Sequence, residues 1–326
     1  MSASSNNVLL IISDQHSPHK LGCYGNQHVQ TPHLDALAKQ SFVFENAHCN
    51  SPLCVPSRLS MFTGKYPWKI GAWDLLSQPP KDEMSLPSLM SSAGYRTASI
   101  GKMHFVGDEQ LWGFEERPYG DFLGGSHQPD PIAVAPKLTF QPAGPAEIPE
   151  NAMQEHIVTK LSVDFLKTYS DDEPFFLVAS YNKPHFPLCP PRRLWDMYDP
   201  AQISLPDLGP NYPDRLHPWM QRHRAFHGVV DWTEEETRRA IAGYYGCVSY
   251  IDEHIGQLLQ ALNDTGQAEN TLVIYVSDHG EMCGEHGLWG KSCFYEASVR
   301  VPLIIRHPDR ALSETSHIED IVELVD

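Results

Sequence analysis

No stretch of the 326 residues approaches the roughly 18 consecutive apolar residues that a membrane-spanning helix needs. The first apolar run, Val8 to Ile12, is too brief for the core of a secretory leader, and Met1 to Asn7 before it is polar. The residues thus point to a cytoplasmic chain with no membrane partner. Cysteine is sparse and unpatterned. Its seven copies, an odd number without framework spacing, suit a reducing compartment rather than a disulfide scaffold. Positive charge is also short: 24 Lys and Arg against 41 Asp and Glu leave a net charge of −17, which argues against nucleic acid as a partner. No internal repeat is visible.

What is present describes an ordinary globular protein, with 41% hydrophobic and 20% charged residues and enough length for a real core. The 27 prolines predict long irregular loops, with excursions at about 117–150 and 200–232 interrupting one α/β domain over 1–326. Val8 to Ser13 reads as a buried strand, a continuous apolar run with β-branched members. Thr31 and Pro32 open a helix, with Thr31 as N-cap. Phe42 to Phe44 reads as a strand, Leu86 to Ala93 as a helix closed by Gly94, and Tyr95 to Ile100 as a strand. Asn151 to Tyr169 is a helix, and Phe175 to Ser180 is a strand. A capping box, Thr233 to Glu236, opens the longest helix, whose apolar residues Ile241, Tyr244, Val248, Ile251, Ile255, Leu258 and Leu262 alternate steps of three and four. Strands follow at Thr271 to Ser277 and Val301 to Ile305. The last residues, Glu323 to Asp326, read as part of a helix.

Four of these strands end in polar, chemically capable residues: Asp14 and Gln15, Lys102 and His104, His185, and Asp278 and His279. In open α/β sheets ligands lie outside the carboxyl ends of the strands, so these groups are candidates for one site. Singly, Asp14 and Asp278 read as helix caps, Lys102 as a surface lysine, and Cys54 as a small buried apolar residue. His16, His19, His217 and His223 read as surface or loop residues, and the cysteines other than Cys54 as chemically silent.

Ser51-Pro52-Leu53-Cys54-Val55-Pro56-Ser57-Arg58, running on to Thr63-Gly64-Lys65, resembles the Cys-x-Pro-Ser-Arg signature of the type I sulfatases of the alkaline phosphatase superfamily. Gly101-Lys102-Met103-His104, Lys183-Pro184-His185, Asp278-His279-Gly280-Glu281 and Gly290-Lys291 follow in the family order. Asp-Gln early and Asp-His late, in place of Asp-Asp and Asp-Asn, resemble the choline sulfatase and phosphonate monoester hydrolase branches. The resemblance implies an alkaline-phosphatase-like sandwich with a large, mostly parallel mixed central sheet flanked by helices. It also implies that the family's small C-terminal antiparallel-sheet domain is largely absent, which would expose a sheet edge and favour a homo-oligomer. By the same resemblance Cys54 is oxidised by a formylglycine-generating enzyme to an aldehyde, whose hydrate is the nucleophile. A hydrate can expel sulfate by reforming the aldehyde, whereas a serine ester would need water to attack sulfur. One divalent metal is implied at Asp14, Gln15, Cys54, Asp278 and His279. Calcium is expected, although the imidazole shifts preference toward manganese or another softer ion, and magnesium is a further alternative. Arg58, Lys102 and Lys291 would stabilise the sulfuryl oxygens, His104 would bond the nucleophile, and His185 would protonate the leaving alkoxide. These cations would make the site locally positive in an acidic protein. The expected substrate is a small organic or carbohydrate sulfate ester. Phosphonate monoester or phosphodiester hydrolysis is the first alternative, and a shortened, inactive relative that binds an anion or a partner is the second.

Overall fold

The computed structural model describes residues 6–120, 140, 143–209, 212, 214–308 and 315–326. Its centre is an eight-stranded sheet of β1 (Asn7–Asp14), β2 (Phe42–His48), β3 (Arg96–Gly101), β4 (Glu116–Tyr119), β5 (Phe175–Pro184), β6 (Thr271–Ser277), β7 (Leu303–Arg306) and β8 (Ser316–Glu323), in the order β4-β3-β5-β1-β6-β7-β2-β8. Only β7 runs against its neighbours. The four strands singled out for their polar ends are therefore adjacent and parallel, β3-β5-β1-β6, and their chemistry is delivered to one edge.

Helices cover both faces, which is why β1 and β5 read as unbroken apolar runs. Alternate β1 residues serve opposite layers. Leu9 and Ile11 pack with Leu177, Val273 and the inner face of the long helix Glu234–Asp264, through Ile251, Ile255, Leu258 and Leu262. Leu10 and Ile12 pack on the other side with Val55, Leu59 and Phe62 of the helix Cys54–Thr63. Each of these fully buried aliphatic side chains contributes about 1.5–3 kcal/mol. The capping box is formed: Glu236 N donates to Thr233 Oγ1 at 3.2 Å, and Thr233 N to Glu236 Oε2 at 2.8 Å.

Several local readings differ. Thr31 does not cap the helix Pro32–Ala38; its hydroxyl accepts from Gly22 N and donates to Asp35. The N-terminal amides of that helix, His33 N and Leu34 N, instead donate to Asp252 from the long helix. The terminal residues form no helix: Ser316–Glu323 is the edge strand β8, parallel to β2. Most of the 117–150 excursion lies outside the described residues, while its start contains β4. The 200–232 excursion contains a helix, Pro218–Phe226. No helix among the described residues is long and apolar enough to cross a membrane.

Candidate active site

Cys54 is the first residue of its helix, behind an N-cap, Leu53, whose side chain gives no capping hydrogen bond. Its thiol therefore lies at the positive end of the helix dipole. The helix is fastened to β6 by Ser57 Oγ, which donates to the carbonyl of Asp278 at 2.5 Å. Around the 2%-exposed Cys54 stand the ends of β1, β3, β5 and β6.

Asp14, Cys54, Asp278 and His279 each place one donor atom within 4.8 Å of the others, all buried. His279 Nδ1 lies 3.0 Å from the Gly280 carbonyl and donates to it, which leaves the Nε2 lone pair facing the group. Nε2 is 3.2 Å from Cys54 Sγ, 3.6 Å from Asp278 Oδ1 and 3.8 Å from Asp14 Oδ1. Two carboxylates and an imidazole of fixed tautomer are a donor set that fits a divalent cation. Gln15 reaches the group at φ +67°, a strained backbone for a residue with a side chain. Its N–H donates to Asp278 Oδ1 at 3.1 Å, and its Oε1 accepts from Lys291 Nζ at 2.7 Å.

The cations ring the same point. Lys291 Nζ is 3.0 Å from Cys54 Sγ, and Lys102 Nζ is 4.0 Å from it and 2.6 Å from Asp14. His104 and His185 both hydrogen-bond the Cys54 thiol. His185 Nδ1 lies 2.8 Å from the Phe186 carbonyl, and Nε2 is 3.9 Å from Asp14. Burial alone pushes the Cys54 thiol up, but Lys102, Lys291, His279 and the His104 hydrogen bond outweigh it and hold the thiol well below its ordinary range. Cys49, Cys247 and Cys283 show the opposite behaviour: burial pushes each thiol up, Cys247 to about 12. For Asp14, burial and Cys54 push upward, while Lys102, His185 and Lys291 hold the carboxyl well below the usual range. Asp278 is pushed up by burial and by Asp14, against His279 and Arg58.

Arg58 differs from the other cations. It is fully buried, with Nε on Asp278 Oδ2 at 2.7 Å, Nη2 on Asp14 Oδ2 at 3.4 Å, and Nη1 on the Lys102 carbonyl and on Ser180 Oγ. Its guanidinium lies behind the two carboxylates and joins three strand ends. Sequence reasoning placed it among the groups facing the sulfuryl oxygens; the geometry turns it inward.

Two side chains escaped the sequence reading. Asn182 Oδ1 accepts from Lys102 Nζ at 3.3 Å, and Glu281, 1% exposed, accepts from Gln15 Nε2. Glu281 stands inside a quoted motif and Asn182 directly before one, but nothing in one sequence reveals which neighbour they face. The expectation for two histidines also needs correction. His16 is fully buried because it turns back on β6, with Nδ1 2.6 Å from Tyr275 Oη; His223 is buried with Nε2 3.0 Å from the Trp289 carbonyl. His217 is exposed and caps the helix Pro218–Phe226, as a loop residue can.

Residues 6–326 match the family described as Sulfatase. The choline-sulfatase of Rhizobium meliloti is 34% identical over 100% of this chain and 68% of its own length. The arylsulfatase of Clostridium perfringens is 32% identical over 98% of this chain and 73% of its own length. The iduronate 2-sulfatase of Homo sapiens is 33% identical over 94% of this chain and 60% of its own length. Among solved structures, the phosphonate monoester hydrolase of Silicibacter pomeroyi superposes with a TM-score of 0.82 at 27% identity, covering 99% of this chain and 71% of that one. The chain belongs to the sulfatase family, the sulfuric ester hydrolases of the alkaline phosphatase superfamily.

Proposed function

We propose that this chain hydrolyses a small organic or carbohydrate sulfate ester at residue 54. The observation that carries the reading is the convergence of Lys102, Lys291, His104, His185 and His279 on the one cysteine whose thiol is held low. Conversion of Cys54 to formylglycine, assigned to a formylglycine-generating enzyme, supplies a hydrated aldehyde as nucleophile. A divalent cation held by Asp14, Asp278 and His279, with Gln15 and residue 54 beside them, supplies Lewis-acid polarisation of a sulfate oxygen. Calcium is the proposed ion, with manganese or magnesium as alternatives. Lys102 and Lys291 bind the remaining anionic oxygens, and because they are fixed by Asp14, Asn182 and Gln15 they need little reorganisation. His104 holds the oxygen of residue 54 by the hydrogen bond it now makes to the thiol. His185, with Nδ1 on the Phe186 carbonyl, presents Nε2 as the donor of a proton to the leaving alkoxide. Arg58 holds the two carboxylates in register and does not touch substrate. Removing divalent ions with a chelator is expected to abolish turnover, and the ion that best restores it identifies the metal; full activity after exhaustive chelation would refute the cation site.

Phosphonate monoester or phosphodiester hydrolysis remains the rival because a phosphonate monoester hydrolase superposes well on this chain. Matured enzyme assayed on a sulfate monoester, a phosphodiester and a phosphonate monoester with one common leaving group decides between them. The sulfate ester is expected to show the highest kcat/KM, and the reverse order makes the rival the function. In the same assay His185→Ala should slow alkyl sulfates by about 10²–10⁴-fold and spare aryl sulfates with good leaving groups. Equal losses on both series would remove His185 from the role of general acid.

A further inference from the structure

Glu281 lies one turn beyond the end of β6, 1% exposed, and its two carboxylate oxygens have separate tasks. Oε1 accepts two backbone amides, Cys283 N at 2.9 Å and Gly290 N at 2.6 Å, and so closes the loop that delivers Lys291. Oε2 accepts from Gln15 Nε2. On its far side the Gln15 amide offers Oε1 to Lys291 Nζ at 2.7 Å, and the same ammonium is 3.0 Å from Cys54 Sγ. The polarity of this chain is dictated at both ends. A lysine ammonium has only donors, so it requires the amide oxygen; a carboxylate has only acceptors, so it requires the amide nitrogen. The Gln15 backbone is fixed independently, because Tyr244 Oη donates to its carbonyl at 2.7 Å and its N–H donates to Asp278. The one freedom left to Gln15 is which end of its amide faces the site.

We propose that Glu281 is a positioning residue that sets this orientation, acting through Gln15 to hold Lys291 against residue 54. For its effect on turnover the inference rests on the function proposed above. The separation of tasks makes Glu281→Gln a clean test. The substituted side chain keeps one oxygen for the two loop amides but turns an NH2 group toward Gln15 in place of the second oxygen. Facing it, the Gln15 amide must turn, which sets its own NH2 against the Lys291 ammonium, donor against donor. In Gln15→Glu two carboxylates face each other instead. In the double variant, the new carboxylate at position 15 accepts from the new amide at position 281 on one side and from Lys291 on the other. Every hydrogen bond of the chain is then rebuilt at unchanged net charge.

The experiment compares wild type, both single variants and the double variant by steady-state kinetics on a sulfate monoester, thermal denaturation, and crystal structures of the unmatured chains. Glu281→Gln is expected to lower kcat/KM by about 10–100-fold, with a thermal midpoint within roughly 4 °C of wild type because the loop bonds persist. The double variant should be clearly more active than Gln15→Glu, which carries the same change beside the cation site, a coupling that a loop-bracing role alone would not produce. In the crystal structures Lys291 Nζ should leave residue 15 in Glu281→Gln and return in the double variant. Activity within twofold of wild type in Glu281→Gln, or a double variant no better than Gln15→Glu, overturns the proposal, as does Lys291 still bonded to Gln15 in the Glu281→Gln structure. Should wild type itself release no sulfate, the functional reading falls, and the crystal structures alone decide the role of Glu281.

Discussion

Replacing Cys54 with alanine is expected to reduce sulfate release by on the order of 10⁴-fold or more, because the substitution removes the atom from which the nucleophile is made. The fold should persist. Cys54 begins its helix without capping it, alanine suits a helix, and Lys102 and Lys291 keep Asp14 and Gln15 as partners when the sulfur is gone. Circular dichroism and a melting curve close to wild type would confirm that the loss is chemical. Cys54→Ser sharpens the test, since a serine ester has no aldehyde to reform and should not turn over in the steady state. Intact-site mass spectrometry of the peptide containing Cys54 belongs in the same experiment, because unconverted cysteine would mimic the variant. An alanine variant retaining even a tenth of the wild-type rate would remove residue 54 from the mechanism.

Arg58→Met should be the most destabilising change at the site. The guanidinium makes charge-assisted hydrogen bonds to Asp14 and Asp278, both fully buried, and has no exposed surface of its own. Removing one member of such a group leaves carboxylates uncompensated, and breaking a buried pair costs about 3–5 kcal/mol. A chain of this size should then melt roughly 4–7 °C lower. Arg58→Lys tests geometry against charge. A lysine keeps the positive charge but cannot span Asp278, Asp14 and the Lys102 carbonyl with one planar fork, so it should recover only part of the loss. A melting temperature for Arg58→Met within about 1 °C of wild type (roughly 0.7 kcal/mol) would show that the carboxylates do not depend on it.

The elements legible in the sequence are those whose surroundings are uniform. β1 and β6 have apolar centres, Val8 to Ile12 and Leu272 to Val276, because helices cover both faces, and the long helix announces itself by its capping box and its three-four alternation. The motif residues at strand ends were legible for a related reason: strand ends in such sheets are where chemistry can be placed, so Asp14, Lys102, His185 and Asp278 stood out before any geometry was known. β8 was illegible because it is an edge strand, largely exposed and carrying Glu319, Asp320 and Glu323, with no alternation to betray it. Pro32–Ala38 was found, but not its cap, because Asp252 reaches it from a helix far along the chain. At the site the limit was direction. Arg58, Lys102 and Lys291 look alike in sequence as cations near a nucleophile, and only the structure shows that the Arg58 guanidinium is taken up by Asp278 and Asp14 while Lys102 and Lys291 reach Cys54 Sγ. Glu281 and Asn182 are the same case: their partners come from other strands, and residue type alone cannot name them.

The placement of β2 has a consequence for timing. β2 runs directly into the Cys54 segment, yet its neighbours in the sheet are β7 and β8, both from the far end of the chain. The roughly 250 residues between them take on the order of 10–50 s to synthesise at about 5–20 residues per second. Throughout that interval the nascent chain holds Cys54 beside a strand whose two partners in the sheet are still missing, whereas in the finished fold the thiol is only 2% exposed. Any modification of this side chain that needs an unfinished sheet would therefore work against a clock set by topology, which slower synthesis of β7 and β8 would extend.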